Sequence, residues 1–203
     1  IIHEIGHMWF PMIVGTDEKT YTWLDEGLTS FNQSLGMAEY FDNYDPWERR
    51  ALGYYALAGS GEEVESMRHG DRYPPETSAR GNASYGKPAM GLRALLGLYG
   101  EERFLAAYRE YGRRWAYKHP TPYDLFNTFE DVLGEDLDWF WTGWLYETWT
   151  LDQAVAEVKA SRRSVTVTVR DEGLLPMPAP VRVTYADGKV EEKTVPVSIW
   201  LSG

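Results

Sequence analysis

Hydrophobic and polar residues recur with two different periods along this chain, and the period changes near residue 150. Before that point, apolar residues recur every three or four positions, which predicts amphipathic helices. After it, Val165, Val167 and Val169 alternate with threonines, and a period of two is typical of a half-buried strand. The pattern therefore predicts a mainly helical part at 1–150 and a partial β domain at 151–203.

Turn and breaker residues divide the first part into segments. Helices are expected to end near Gly100 and Gly134, because glycine is common just after a helix. The stretch 66–84, with Tyr73-Pro74-Pro75 at its centre, is rich in Gly, Pro, Ser and Arg and predicts a long loop. The predicted helices cover 1–14, 25–40, 47–58, 86–99, 101–117, 122–133 and 137–149.

The second part predicts antiparallel strands. A first strand is expected at 164–170, and the Asp187-Gly188 pair predicts a hairpin turn between strands at 180–185 and 190–197. These strands are too few to close a β-sandwich, so we expect only the start of one. An unclosed sheet leaves an exposed edge, which favours self-association with another copy of the chain.

Composition narrows the classes of partner. With 43% hydrophobic and 25% charged residues, the chain is typical of globular proteins, and no apolar run approaches the length of a membrane span. Its formal net charge of −11 argues against nucleic acids and anionic membrane surfaces as partners. The absence of cysteine excludes disulfides and thiolate zinc sites, and it leaves the cellular compartment open.

The strongest chemical signal is the sequence His3-Glu4-Ile5-Gly6-His7. Residues i and i+4 share one face of a helix, so both imidazoles can bind the same metal ion. Glu26 follows after eighteen intervening residues and is the expected third ligand, which leaves a fourth position open for water or substrate. The alternative is a buried helix whose histidines are only hydrogen-bonded. Burying these histidines and carboxylates without a cation would be costly, so we predict one catalytic Zn²⁺ per chain.

Two segments of the sequence carry a family resemblance. The motif at 3–7, followed by Trp23-Leu24-Asp25-Glu26-Gly27, resembles the M1 family of zinc metallopeptidases, the aminopeptidase N and leukotriene A4 hydrolase group of gluzincins. That family places a tyrosine in a later Tyr-x-Lys-Gly/Pro-like segment, and Tyr85 in Ser84-Tyr85-Gly86-Lys87-Pro88 matches it. The resemblance implies the C-terminal helical part of a thermolysin-like catalytic domain, followed by a β domain.

The resemblance also implies a mechanism, which is zinc-dependent hydrolysis of a peptide substrate. The zinc ion would polarise the scissile carbonyl and activate a water molecule. Glu4 would act as the general base that takes the proton from this water. The Tyr85 hydroxyl would donate a hydrogen bond to the developing oxyanion.

One segment that is typical of the family has no counterpart in this sequence. M1 enzymes carry a Gly-x-Met-Glu-Asn segment upstream of the first histidine, and its glutamate binds the free amino group of the substrate. Because the sequence starts two residues before His3, we expect a fragment that lacks the amino-terminal domain and has little or no activity by itself. Three functions stay open: an aminopeptidase, a zinc endopeptidase or other hydrolase on the same scaffold, and a metal-free interaction module.

The remaining polar candidates carry weaker signals. Asp25 could orient a histidine ligand, but capping the helix expected to start at that residue is the favoured interpretation. His69 and His119 lack ligand spacing and are expected at the surface. Lys87 is assigned no role beyond accompanying Tyr85.

Overall fold

The computed structural model describes residues 1–74, 77–161 and 164–202. The chain divides into two compact units, Ile1–Thr148 and Trp149–Gly203. The first unit is helical and the second consists of short antiparallel strands with one helical turn. The prediction of a mainly helical part followed by a short antiparallel β segment is confirmed.

The helices of the first unit pack around a core of aromatic and aliphatic side chains that includes Trp23, Phe31 and Phe104, all at most 1% exposed. Its α-helices are α1 (Ile2–Gly6), α2 (Thr22–Tyr40), α3 (Pro46–Tyr55), α4 (Thr77–Gly81), α5 (Lys87–Trp115), α6 (Pro122–Leu133) and α7 (Asp138–Trp141). A 3-10 turn at Gly70–Arg72 and π-helical turns at Asn82–Gly86 and Thr142–Tyr146 complete the unit. No described helix combines the length and the apolar character that crossing a membrane requires.

The helix that carries the first motif is shorter than predicted. We expected it to cover 1–14, but α1 ends at Gly6 and irregular turns follow to Val14. The physical reason is Pro11, which has no N–H to donate and disfavours helical geometry in the residue before it. His7 keeps a helical backbone at the end of α1, so the i and i+4 relation to His3 is preserved.

The long loop predicted at 66–84 is only partly a loop. Residues 77–86 form α4 and a π-helical turn that leads directly into α5, while positions 75 and 76 lie outside the described residues. Ala79 and Ala83 are buried with Val64 and Tyr73, so tertiary packing overrides the loop-forming composition of this stretch. Gly100 interrupts α5 with a φ of 75°, as expected from its place between two predicted helices.

The second unit contains two separate antiparallel hairpins. They are built from β1 (Gln153–Ala160) with β2 (Val165–Asp171), and from β3 (Ala179–Thr184) with β4 (Val190–Val195). Gly188 adopts a φ of 86° in the turn between β3 and β4, as the Asp-Gly signal predicts. We did not predict β1, because its residues are mostly exposed and a bulge between Val155 and Glu157 breaks the alternation. A short helix, α8 (Ser198–Leu201), follows β4.

Candidate metal centre

Helices α1 and α2 bring together the three side chains predicted to bind metal. The ligand atoms of His3, His7 and Glu26 all lie within 4.8 Å of one another. Glu26 Oε2 is 3.0 Å from His3 Nε2 and 3.4 Å from His7 Nε2. Donor atoms around a tetrahedral zinc ion lie about 3.3 Å apart, because each bond is about 2.0–2.2 Å long. The donor set and its spacing therefore fit a zinc ion, and the assignment of these ligands stays a prediction.

Two glycines allow the helices to approach this closely. A Cβ atom on Gly6 would lie 2.9 Å from Thr29 Cγ2 on α2. A Cβ atom on Gly27 would lie 2.6 Å from Pro88 Cγ and 3.3 Å from the Ser84 carbonyl oxygen. The two carbon–carbon distances are shorter than van der Waals contact allows, so the spacing of α1, α2 and the 82–88 segment depends on these two positions having no side chain.

Asp25 lies behind one of the predicted ligands. Its Oδ1 atom is 2.8 Å from His7 Nδ1, and the Phe10 carbonyl oxygen is also 2.8 Å from that nitrogen. The capping interpretation is wrong, because α2 starts at Thr22 and Asp25 therefore lies inside its first turn. The geometry supports the other interpretation, in which Asp25 orients the His7 ring and keeps Nε2 free for a metal.

Burial changes the acid–base properties of this pair. The Asp25 side chain is only 7% exposed, and its desolvation raises the pKa of the carboxyl group to about 7, against the opposing influence of His7. Desolvation lowers the pKa of His7, but the Phe10 carbonyl and the carboxylates of Asp25 and Glu26 outweigh it, so that its pKa is raised. The Phe10 carbonyl oxygen, which can only accept, is hydrogen-bonded to His7 Nδ1 and holds a proton there, and the Asp25 carboxyl group lies in ion-pair contact with the same nitrogen.

Tyr85 is positioned next to the predicted ligands by the π-helical turn at Asn82–Gly86. Its ring stacks on His3 with a centroid distance of 5.8 Å. Burial raises the pKa of the Tyr85 hydroxyl, and a hydrogen bond with Glu26 raises it further. The hydroxyl therefore stays protonated at neutral pH and is available as a hydrogen-bond donor.

Glu4 occupies the position between the two histidines on α1. It is exposed, and it has no ion-pair partner within the described part of the chain. A carboxylate without a cationic partner can accept a proton from water, which a general base requires. The structure therefore brings His3, His7, Glu26 and Tyr85 together, and Glu4 follows His3 on α1; the roles of these residues stay predictions.

Lys87 and Glu63 form a buried ion pair that was not predicted from the sequence. The Lys87 side chain is 0% exposed and that of Glu63 is 2% exposed, with 2.9 Å between Nζ and Oε1. Lys87 Nζ also donates a hydrogen bond of 2.7 Å to the Glu147 carbonyl oxygen. Glu63 lies far from Lys87 in the sequence and belongs to no motif, so no local signal could have identified the pair.

The other histidines lie away from this centre. His69 Nδ1 pairs with Asp71, and its Nε2 is 3.4 Å from Thr20 Oγ1. The exposed His119 ring is hydrogen-bonded to the Gly15 carbonyl oxygen at 2.9 Å. Neither histidine belongs to a cluster of metal ligands in the described residues.

Comparison with known proteins identifies the family of the helical unit. A family model described as the peptidase family M1 domain matches residues 1–144. Aminopeptidase M1-D of Oryza sativa subsp. japonica is 29% identical over 150 residues, which are 71% of this chain and 17% of the relative. Leucyl aminopeptidase of Saccharolobus solfataricus is 25% identical over 154 residues, which are 71% of this chain and 19% of the relative. The chain thus spans about a fifth of the length of these relatives.

Solved structures share the fold. An M1 zinc metallopeptidase from Deinococcus radiodurans superposes with a TM-score of 0.57 at 21% identity, over 70% of this chain and 31% of that one. Aminopeptidase A of Legionella pneumophila superposes with a TM-score of 0.62 at 18% identity, over 95% of this chain and 22% of the other. Because these identities are low, the comparison supports only the fold of the chain.

Proposed function

The chain belongs to peptidase family M1, and from this premise we propose that it is the zinc-binding part of an aminopeptidase catalytic domain. The observation that carries the proposal is the convergence of His3, His7 and Glu26 within 4.8 Å. Two imidazoles and one carboxylate, with a fourth position left open, are a typical ligand set of catalytic zinc. When bound there, zinc supplies a Lewis acid that polarises both a carbonyl group and a water molecule.

The remaining residues of the site act on protons and on the developing charge. Glu4 accepts the proton of the attacking water and then returns it to the leaving amine. The Tyr85 hydroxyl donates a hydrogen bond to the oxygen of the scissile carbonyl as negative charge builds there. Asp25 holds the proton on His7 Nδ1 and so directs Nε2 toward the metal.

A metal-content measurement tests the predicted ligand set. The wild-type protein is expected to contain one zinc ion per chain, and Glu26→Ala is expected to lose it, because two histidines alone hold zinc weakly. Plasma mass spectrometry of protein purified without chelator gives the ratio directly. Glu39→Ala is the matched control, since Glu39 is an exposed glutamate at the other end of α2. Absence of zinc from the wild type would contradict the proposal and favour a metal-free module.

Asp25→Asn is expected to weaken zinc affinity about 10–100-fold, which is typical when the partner of a histidine ligand is removed. An uncharged amide at this position favours the proton on His7 Nδ1 less than a carboxylate does, so the Phe10 carbonyl alone holds the ring and its orientation is less firmly fixed. Competition titration with a chromophoric chelator measures the change. Asp42→Asn removes an exposed aspartate and should leave the affinity unaltered. Equal affinities in both variants would show that Asp25 does not orient His7.

The choice between aminopeptidase and endopeptidase rests on the names of the relatives, which are aminopeptidases. We expect peptides with a free amino terminus to be hydrolysed and their N-acetylated counterparts to be resistant. The chain spans about a fifth of its relatives, so turnover is to be measured in the complete protein, and we propose that the 203-residue segment alone is weakly active. Cleavage of acetylated peptides at internal bonds would favour the endopeptidase.

A further inference from the structure

A cavity lined by two arginines lies beside the candidate metal centre. A cavity of about 500 Å³ is bordered by Tyr85, which connects it to the site described above. The other residues of its wall with polar side chains are Arg49, Arg50, Tyr54, Glu62, Ser78 and Asn82. Two arginines and one glutamate line the cavity, so the formal charge of its wall is positive in a chain whose formal net charge is −11.

The guanidinium of Arg50 is held in place by neutral groups. Its Nε atom donates to Ser34 Oγ at 3.1 Å, and its Nη2 atom donates to the Ser30 carbonyl oxygen at 3.2 Å. Both serines are on α2 and are at most 2% exposed. No carboxylate within residues 1–74, 77–161 and 164–202 forms an ion pair with Arg50. A half-buried guanidinium keeps its charge at neutral pH, and one without a counterion is a ready binding group for an anion.

A second wall residue of the cavity also lacks a partner. Asn82 is 8% exposed, and its buried Nδ2 atom has no hydrogen-bond acceptor within the described part of the chain. Buried polar groups are nearly always hydrogen-bonded, so an unpaired donor calls for an explanation. Arg50 and Asn82 line the same cavity, so an anion bound there would supply the kind of acceptor that both residues lack.

The positions of Ser30 and Glu26 along α2 indicate how far such an anion would lie from the candidate metal centre. Ser30, which fixes Arg50, follows Glu26 by four residues, and this is a rise of about 6 Å along the helix. An extended peptide covers about 7 Å in two residues. The backbone group that holds Arg50 is therefore about one helical turn from Glu26, a separation similar to the length of two extended peptide residues.

We propose that Arg50 and Asn82 bind a carboxylate of the peptide substrate in this cavity. Its source is either the C-terminal carboxylate of a short peptide or an acidic side chain close to the scissile bond. The guanidinium can donate two parallel hydrogen bonds to a carboxylate, and such charge-assisted contacts are stronger than neutral ones. This inference rests on the proposed peptidase function and specifies the class of substrate that the site prefers.

The test compares peptides that differ only in their carboxylates, with the complete zinc-loaded protein. The substrates are Ala-Ala-Ala, its C-terminal amide, and amidated tripeptides with aspartate or asparagine at the first or second position. We expect kcat/KM to be about tenfold or more higher for at least one carboxylate peptide than for its neutral counterpart. A higher kcat/KM for Ala-Ala-Ala than for its amide would identify the C-terminal carboxylate as the ligand. A higher kcat/KM for an aspartate peptide than for its asparagine counterpart would identify an acidic side chain.

Arg50→Gln is expected to bring the ratio of kcat/KM between the carboxylate peptide and its neutral counterpart close to one. Arg93→Gln is the matched control, because the Arg93 guanidinium lies 5.4 Å from the Trp47 ring centroid and does not border the cavity. If Arg50→Gln fails to fold, Asn82→Leu is used as the test variant. This variant keeps the hydrogen bonds of Arg50 to α2, and it should lower the ratio of kcat/KM between the carboxylate peptide and its neutral counterpart severalfold.

Two results would overturn the inference: equal kcat/KM for charged and neutral peptides in the wild type, or a preference that survives in the folded variants. Failure of the proposed function is a different result, in which the zinc-loaded wild type hydrolyses none of the peptides.

Discussion

Glu4→Gln is expected to lower kcat by about a hundredfold to ten-thousandfold while leaving one zinc ion bound per chain. The carboxamide has nearly the shape of the carboxylate but cannot accept the proton of the attacking water, and general base catalysis contributes a factor of this size. The zinc content should not change, because the predicted ligands are His3, His7 and Glu26. Turnover of a free-amine peptide and metal content are measured on the same preparation of the complete protein.

The control for this variant is Glu39→Gln, which removes an exposed carboxylate far along α2 and should keep wild-type turnover. Full activity of Glu4→Gln would exclude Glu4 as the general base. Loss of zinc together with activity would indicate instead that Glu4 is a ligand, and the assignment of Glu26 would then have to be revised.

Lys87→Met is expected to lower the free energy of unfolding by about 3–5 kcal/mol, because it leaves a buried carboxylate without its cation. Glu63 has its side chain 2% exposed, so water cannot replace the lost ammonium group. The Glu147 carbonyl oxygen also loses a hydrogen-bond donor. Urea unfolding followed by circular dichroism measures the change.

Two further variants separate the ion pair from other effects. Lys19→Met removes an exposed lysine and should change stability by no more than about 0.5 kcal/mol. The double variant Lys87→Met/Glu63→Leu should recover most of the loss, since replacing both buried charges with apolar groups is often close to neutral. A single variant as stable as the wild type would show that the pair contributes little. Lys87 follows Tyr85 by two residues. We therefore also expect Lys87→Met to displace the Tyr85 hydroxyl.

The sequence alone predicted the residues of the candidate metal centre because they obey local rules. His3 and His7 are related by the geometry of a single helix, and the spacing to Glu26 matches a known family. The mainly helical character of the first unit, the hairpin at Gly188 and the interruption at Gly100 are also encoded in short stretches of sequence. For the histidines, the hairpin and the interruption, the signal lies within one element or turn, and for Glu26 it lies in the spacing between α1 and α2.

What surrounds these residues depends on packing between elements. Three contacts join segments that only the tertiary structure brings together: Asp25 with His7, Lys87 with Glu63, and Arg50 with the serines of α2. The same packing decides that 77–86 is helical. The sequence by itself therefore determined the chemical groups of the site and their order along the chain. The tertiary structure decided their partners, because burial and contact between distant segments leave no periodic signal in the sequence.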